Sequence, residues 1–441
     1  MRTAIVVALL LGAGARTVDA AAPPDVVHGE RYDGRPRPSR AARQALLAVP
    51  RALLAVPRLL VRGLAAAGRP VMEWNERHHV MERVNDALTS KDGLVGVRPE
   101  LDWQLASKPS FGVLYFDNRH GVKLSLSGAS GGPDVVLARA HAASTVARAV
   151  ALDFDLRYKR RSDEFFSGIG MQKLPYARYG VDQVDATVGF SGAPVRHVAI
   201  DAGAGFGLRR FNDGLAYAGD DSIDRVYCER GAGGHCYSGR VDERLVPGFA
   251  AGTQFIRESL AVHVDSRRDP DSPGSGARLD LGIQYSQGFA GDRSSYLRYD
   301  GRLGGALELW RHRLLYVGLA AVDEVNLGAQ AIPFSELVTL GGADDLRGFR
   351  LGQFRDHSSL LGTIEYRWPV WMWMDGTVFA DYGGVFDAQF RNFSFSKLRP
   401  DVGVGVRMVA APKFAVRVQL AYGFGDDGGF RLVIAGNANP R

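Results

Sequence analysis

Arg347, in Leu340-Gly341-Gly342-Ala343-Asp344-Asp345-Leu346-Arg347-Gly348-Phe349-Arg350, is the residue whose surroundings ask most plainly for partners. A loop this rich in glycine and charge, set between apolar alternating strands, has no evident packing role. Two acids follow downstream, Glu365 in Leu361-Gly362-Thr363-Ile364-Glu365-Tyr366-Arg367 and Asp381 in Val378-Phe379-Ala380-Asp381-Tyr382. Each sits on the opposite strand face from its adjacent apolar neighbours, so both carboxylates point inward if the apolar faces meet lipid. A guanidinium carried alone into a confined interior is costly, and two carboxylates can hold its planar fork by charge-assisted hydrogen bonds. The chemistry expected here is that of a latch.

Reactive chemistry finds less support. Gly128-Ala129-Ser130-Gly131-Gly132 fits the pattern G-x-S-x-G, but a nucleophile elbow needs a strand before it and a helix after it. Pro133-Asp134-Val135-Val136-Leu137 leads into a strand, which predicts a hairpin turn. His78 and His79 are adjacent, and neighbours on a helix do not converge on a metal, which leaves a solvated face. Asp220, Asp221 and Asp224 offer calcium ligands, or simply an acidic surface loop. Cys228 and Cys236 stand eight apart in a loop over 209–246. In an exported chain such a pair is most simply a disulfide; a metal site would need two further ligands, and only His235 is near. No phosphate loop, metal cluster or cofactor motif is found, and the chain is not expected to be an enzyme.

The elements that must position these residues begin after an export signal. Residues 1–22 carry Arg2, an apolar run and small residues suited to cleavage, the pattern of a secretory signal peptide whose apolar core is too short to span a bilayer. Residues 23–92 form a basic arm. Eight arginines and no acid lie between Arg35 and Arg69, threaded through the repeat Ala-Leu-Leu-Ala-Val-Pro-Arg at 45–51 and 52–58. On a helix, Arg51, Arg58, Arg62 and Arg69 share one stripe. Pro50 and Pro57 kink such a helix, and central arginines at about 2.5–3.5 kcal/mol each oppose spanning. Two placements follow: the inner-leaflet interface, with arginines on anionic head groups, or the periplasmic rim or lumen of the β-barrel expected after residue 92. A second helix is expected from Trp74 to Ser90.

From Val97 onward the pattern has period two: Leu152, Phe154, Leu156 and Tyr158 alternate with Asp153, Asp155 and Arg157, and Leu279, Leu281, Ile283 and Tyr285 with Asp280, Gly282 and Gln284. Export, strands near ten residues and aromatics at strand ends, as in Trp368-Pro369-Val370-Trp371-Met372-Trp373, favour a membrane barrel over a soluble sandwich. Closure would satisfy every backbone donor and acceptor in lipid. The fold class expected is all-β: a transmembrane antiparallel β-barrel of about 16 strands over 93–441, preceded by a short helical arm. Of the net charge of +6, the segment after residue 90 carries a single unit, which with export argues against a nucleic-acid partner.

Leu346-Arg347-Gly348-Phe349 after paired glycines resembles the sixth-loop tip of the bacterial surface antigen, or outer-membrane protein assembly factor, superfamily (BamA/TamA-like). Ile332-Pro333-Phe334 and the 265–276 segment Asp-Ser-Arg-Arg-Asp-Pro-Asp-Ser-Pro-Gly-Ser-Gly agree with it, and the resemblance covers roughly 95–436. It implies that the loop folds into the lumen, that Arg347 meets Glu365 and Asp381, and that the location is the outer membrane of a Gram-negative bacterium. It further implies partners among outer-membrane lipids and unfolded outer-membrane or secreted proteins, which the barrel helps to insert or translocate. Only 23–92 is available for the polypeptide-transport-associated domains that relatives carry, and no alternating strand lies there, so the chain looks like a member without them. The alternatives are a narrow or plugged pore for small solutes, and a non-transporting scaffold or lipid-organising protein.

Overall fold

The computed structural model describes residues 77–436, apart from short stretches at 103–106, 148–149, 173, 232–233, 268–274, 290–291, 310–312, 372–373, 412–413 and 426–427, together with a few positions between 59 and 74. The signal peptide and Arg51, Arg58, Arg62 and Arg69 lie outside the described residues.

Helix α1 runs over Val80–Leu88 and follows His79, whose backbone is left-handed (φ 50°). The helix expected from Trp74 to Ser90 is therefore interrupted: helical conformation at Arg77 and His78 gives way to a turn at His79. No helix among the described residues is long and apolar enough to cross a membrane.

Strands β1 (Val95–Asp102), β2 (Ser110–Asp117), β3 (Val122–Ser130), β4 (Val135–Ala147), β5 (Val150–Phe166), β6 (Ala177–Val195) and β7 (Val198–Asn212) pair antiparallel in chain order. An excursion follows, with β8 (Asp221–Ser222), the single-turn α2 (Ile223–Val226), β9 (Cys228–Arg230) and β10 (Cys236–Val241), where Cys228 and Cys236 form a disulfide. The sheet resumes with β11 (Thr253–Asp265), β12 (Gly276–Gly288), β13 (Ser295–Leu309) and β14 (Arg313–Asn326). A second excursion, 327–357, holds the small hairpin β15 (Val338–Leu340) and β16 (Phe354–Asp356). The last strands are β17 (Ser358–Trp371), β18 (Met374–Phe386), β19 (Arg399–Ala411), β20 (Phe414–Gly423) and β21 (Gly429–Gly436). Sixteen long strands thus follow one another by nearest-neighbour antiparallel pairing, which hairpin connections permit. No pairing joins β21 to β1 among the described residues. Gly128–Gly132 closes a strand-turn-strand hairpin between β3 and β4, without the helix a nucleophile elbow requires.

The sheet is polar on its inner side. Phe154, Phe190, Leu281, Leu303, Val317, Leu319, Ile364 and Val402 are exposed, whereas Arg178, Glu324, Arg347, Glu365, Asp381 and Asp401 are buried. A soluble sandwich would reverse this arrangement. The interior is filled by loop as much as by strand. Phe166, Tyr179 and Val181 pack with Ile223, Tyr227 and Phe249 of the first excursion and Phe334 of the second. Leu340, Leu346, Phe349 and Phe354 pack on Leu361, Val385 and Met171.

Candidate functional site

The inner face of β17–β20 is set by register. One row reads Thr363, Asp381, Asp401, Gly423, and the next reads Glu365, Phe379, Gly403, Ala421. The 327–357 loop enters over these rows and lays Arg347 on them. Its Nε and Nη2 donate to the two oxygens of Asp381 at 2.7 and 3.0 Å, and its Nη1 donates to Glu365 at 2.7 Å. The guanidinium carbon stands 3.3 Å from the centre of the Phe379 ring, a cation on an aromatic face in a site closed to water. Arg347 is fully buried. Burial works against its charge, but Asp381 and Glu365 more than offset this and hold its pKa above the ordinary arginine value.

Glycine is needed on both sides of this contact. Gly348 donates its N–H to Asp401 at 2.8 Å, and a Cβ there would lie 2.5 Å from the backbone nitrogen of Gly423. A Cβ on Gly403 would meet the Phe379 ring at 2.2 Å. The two backbones can touch, and the ring can lie flat, only because these positions lack side chains. Phe349 packs at a tilt against Phe354, with ring centres 5.1 Å apart, and is buried.

The same loop reaches the opposite wall. Glu336 is bound by Arg209 of β7, by Arg257 of β11 at 2.5 Å and by the Tyr296 hydroxyl of β13 at 3.0 Å. Burial alone would raise the Glu336 carboxyl, but the two arginines hold it below the ordinary glutamate value. Arg350 donates to Asp220 at 2.8 Å, beside Arg178, and Arg417 donates to Asp344 at 2.6 Å. Since one loop touches β7, β11 and β13 as well as β17–β20, the sheet curls around it.

The structure therefore brings together Arg347, Gly348, Phe349, Glu365 and Asp381. It also adds residues that the sequence reading passed over. Asp401 lies on the same strand face as Gly403, Gly405 and Arg407, opposite Val402, Val404 and Val406, so the alternation that marked Asp381 could have marked it. Arg209 belongs to a strand and not to the 209–246 loop, because β7 continues to Asn212. Glu336 pairs across 127 residues, a separation no local pattern reports. Among the described residues, no group of three or more His, Cys, Asp or Glu side chains is placed to hold a metal ion. The 265–276 segment is described only at its ends.

Removing Arg347 leaves two buried carboxylates without their cation, so Arg347→Ala is expected to lower unfolding stability by about 3–5 kcal/mol, read as a reduced urea midpoint of the heat-modifiable folded form. Arg347→Lys keeps the charge but not the fork and should recover only part of the loss. Gly348→Ala, which forces two backbones apart, should cost about 1–3 kcal/mol in the same measurement. On the other wall, Glu336→Gln should cost about 1–3 kcal/mol, while Glu336→Ala combined with Arg347→Ala should release the loop to added protease.

The profile of the Omp85 superfamily domain matches residues 253–433, from β11 into β21. No curated protein matches the sequence. Among solved structures, BamA from Haemophilus ducreyi lacking POTRA domains 1-3 is similar at 13% identity, with a TM-score of 0.56, over 78% of this chain and 70% of that one. CdiB from Escherichia coli is similar at 11% identity and a TM-score of 0.48, over 81% of this chain and 68% of that one. CdiB from Acinetobacter baumannii is similar at 11% identity and a TM-score of 0.47, over 77% of this chain and 58% of that one. At these identities the likeness to BamA is one of fold. Residues 253–433 thus carry an Omp85 superfamily domain, on a sheet whose fold is like that of BamA.

Proposed function

We propose that the chain is an outer-membrane β-barrel that assists insertion of other proteins into the outer membrane or their passage across it. In this reading residues 93–441 form the barrel, with β1 and β21 meeting to close it. Residues 1–22 are the export signal. Residues 23–92, with Arg51, Arg58, Arg62 and Arg69, form an arm at the membrane interface or barrel rim. The contacts of Arg347, Gly348 and Phe349 with Glu365, Asp381 and Asp401 latch the inner loop, and the Cys228–Cys236 disulfide pins the first excursion.

The observation that carries the proposal is the pair of sheet ends. β1 and β21 have eight residues each, while β5, β6 and β7 have 17, 19 and 15; among the described residues β1 pairs with no strand but β2, its other edge meeting only Thr89 and Ser90 at its start, and β21 pairs with no strand but β20. A free edge presents a row of N–H and C=O groups that lipid cannot satisfy, and that another strand can. Two short edges meeting at rest form the weakest seam in such a wall, and a client strand adds there by main-chain hydrogen bonds. Exposed large apolar residues recur on strand after strand, the pattern of an interaction or membrane surface and not of isolated surface side chains. The family domain and the fold likeness support the same reading. The loop, fastened to both walls, argues against an open solute pore.

The test measures the folding rate of an unfolded small barrel added to liposomes holding this protein, its Arg347→Ala form, or nothing. Acceleration by the native protein alone is expected; equal rates in all three would move the reading to a pore or a scaffold. Membrane placement is checked separately by single tryptophans at Leu281 and Leu319, which brominated lipid should quench, against tryptophan at Ser259 on the inner face, which it should not. The Leu281 and Leu319 side chains are about half exposed.

A further inference from the structure

Beyond the Arg347 contacts, toward the turns after β17 and β19, the inner face continues for two more rows. The first reads Arg367, Thr377, Gly405, Gln419, and the second Pro369, Asp375, Arg407, Arg417. Arg407 and Arg417 are thus direct partners on neighbouring antiparallel strands. Like charges so placed have Cβ atoms about 4.5–5.5 Å apart and destabilise the sheet unless something lies between them.

The acids nearby do not resolve this. Glu365 is occupied on one oxygen by Arg347 and on the other by Arg367, at 2.7 and 2.5 Å. Asp344, largely exposed, takes Nη2 of Arg417. Asp375 is directly opposite Arg407 on β18 and the two charges attract, yet among the described residues Arg407 makes no hydrogen bond or close ion pair, so its donors are left unused. Arg407 is half-buried.

Beside Arg407, three polar atoms are buried without a partner among the described residues: Nε of Arg417, Oγ1 of Thr377 and Oε1 of Gln419. These residues are only 8%, 2% and 1% exposed. The Gln419 side chain lies across Gly405 toward β18, with its Cγ 2.6 Å from where a Cβ on Gly405 would stand. Buried polar atoms are nearly always satisfied. Three orphans at adjoining register positions, next to a guanidinium without a hydrogen bond among the described residues, outline a polar site.

We propose that this site binds a phosphate-class oxyanion between Arg407 and Arg417, with Thr377 and Gln419 completing its hydrogen bonds. Its oxygens accept from the two guanidinium forks and from the Thr377 hydroxyl. Oε1 of Gln419 accepts, so it asks for a donor. Hydrogen phosphate and a phosphomonoester in its hydrogen form carry one; sulfate does not. Free phosphate and a phosphorylated lipid headgroup share this chemistry.

The experiment titrates the purified full chain in non-ionic detergent, at constant ionic strength, with inorganic phosphate, glycerol 3-phosphate and sulfate, by calorimetry and by melting temperature. Phosphate should bind the native protein, sulfate about tenfold more weakly, and Arg407→Gln should weaken phosphate about tenfold or more, as expected for one charge-assisted contact. Without anion, Arg407→Gln should melt close to the native protein, because the relief of the Arg417 repulsion offsets the lost attraction to Asp375. Thr377→Val serves as a second variant. It should melt higher than native without anion, since it deletes an unsatisfied hydroxyl, and should bind phosphate more weakly. Binding of glycerol 3-phosphate as tight as phosphate assigns the site to a headgroup, and much weaker binding assigns it to the free ion. No phosphate binding by the native protein, or equal affinity in native, Arg407→Gln and Thr377→Val forms, overturns the proposal and leaves the orphaned atoms to water.

Discussion

The Arg347 guanidinium, flat on the Phe379 ring and forked between Asp381 and Glu365, is the contact on which the interior depends. A fully buried arginine is tolerable only when its charge and its donors are both answered, and here three nitrogens donate to two carboxylates. That geometry dictates its surroundings. Phe379 can lie flat only over Gly403, and the loop can descend far enough only where Gly348 meets Gly423. Acid, ring and glycine positions on four strands are thereby fixed by one side chain.

The inverted polarity of the sheet follows from the same constraint. With charge inside, the inner face cannot supply a hydrocarbon core, and the interior is packed instead by what the loops bring: Phe334, Leu346, Phe349 and Phe354 from the second excursion, Ile223, Tyr227 and Phe249 from the first. The strands in turn are free to carry apolar residues outward. The loops act as the core of a sheet whose hydrophobic face is turned away from it.

Much of this was legible in the sequence because strands report their faces locally. Alternation placed Glu365 and Asp381 on the face opposite their apolar neighbours, and the paired glycines flagged the loop. Asp401 obeys the same alternation but directly follows Pro400 at a strand start, where the pattern has only begun. Arg209 was hidden by the run Arg209-Arg210-Phe211, which breaks the alternation although β7 continues through it. The helix break at His79 carries no glycine or proline to announce it. Glu336 depends on strands far upstream, and nothing in Ser335-Glu336-Leu337 foretells two arginines and a tyrosine.

The two anchors of the loop have opposite sign, and this determines its orientation. Its arginine rests on an acidic patch of β17 and β18, and its glutamate on a basic patch of β7 and β11. Turning the loop end for end would set Arg347 against Arg209 and Arg257 and Glu336 against Asp381 and Glu365, like charges in a buried setting. Sliding it by a strand would strand both. Apolar packing alone would allow several seatings, since Leu346, Phe349 and Phe354 could fill similar volumes from more than one direction. Opposed charges fastened to opposed walls leave one arrangement in which both Arg347 and Glu336 meet opposite charge, so the seating of the loop is specified by electrostatics while its stability comes from packing.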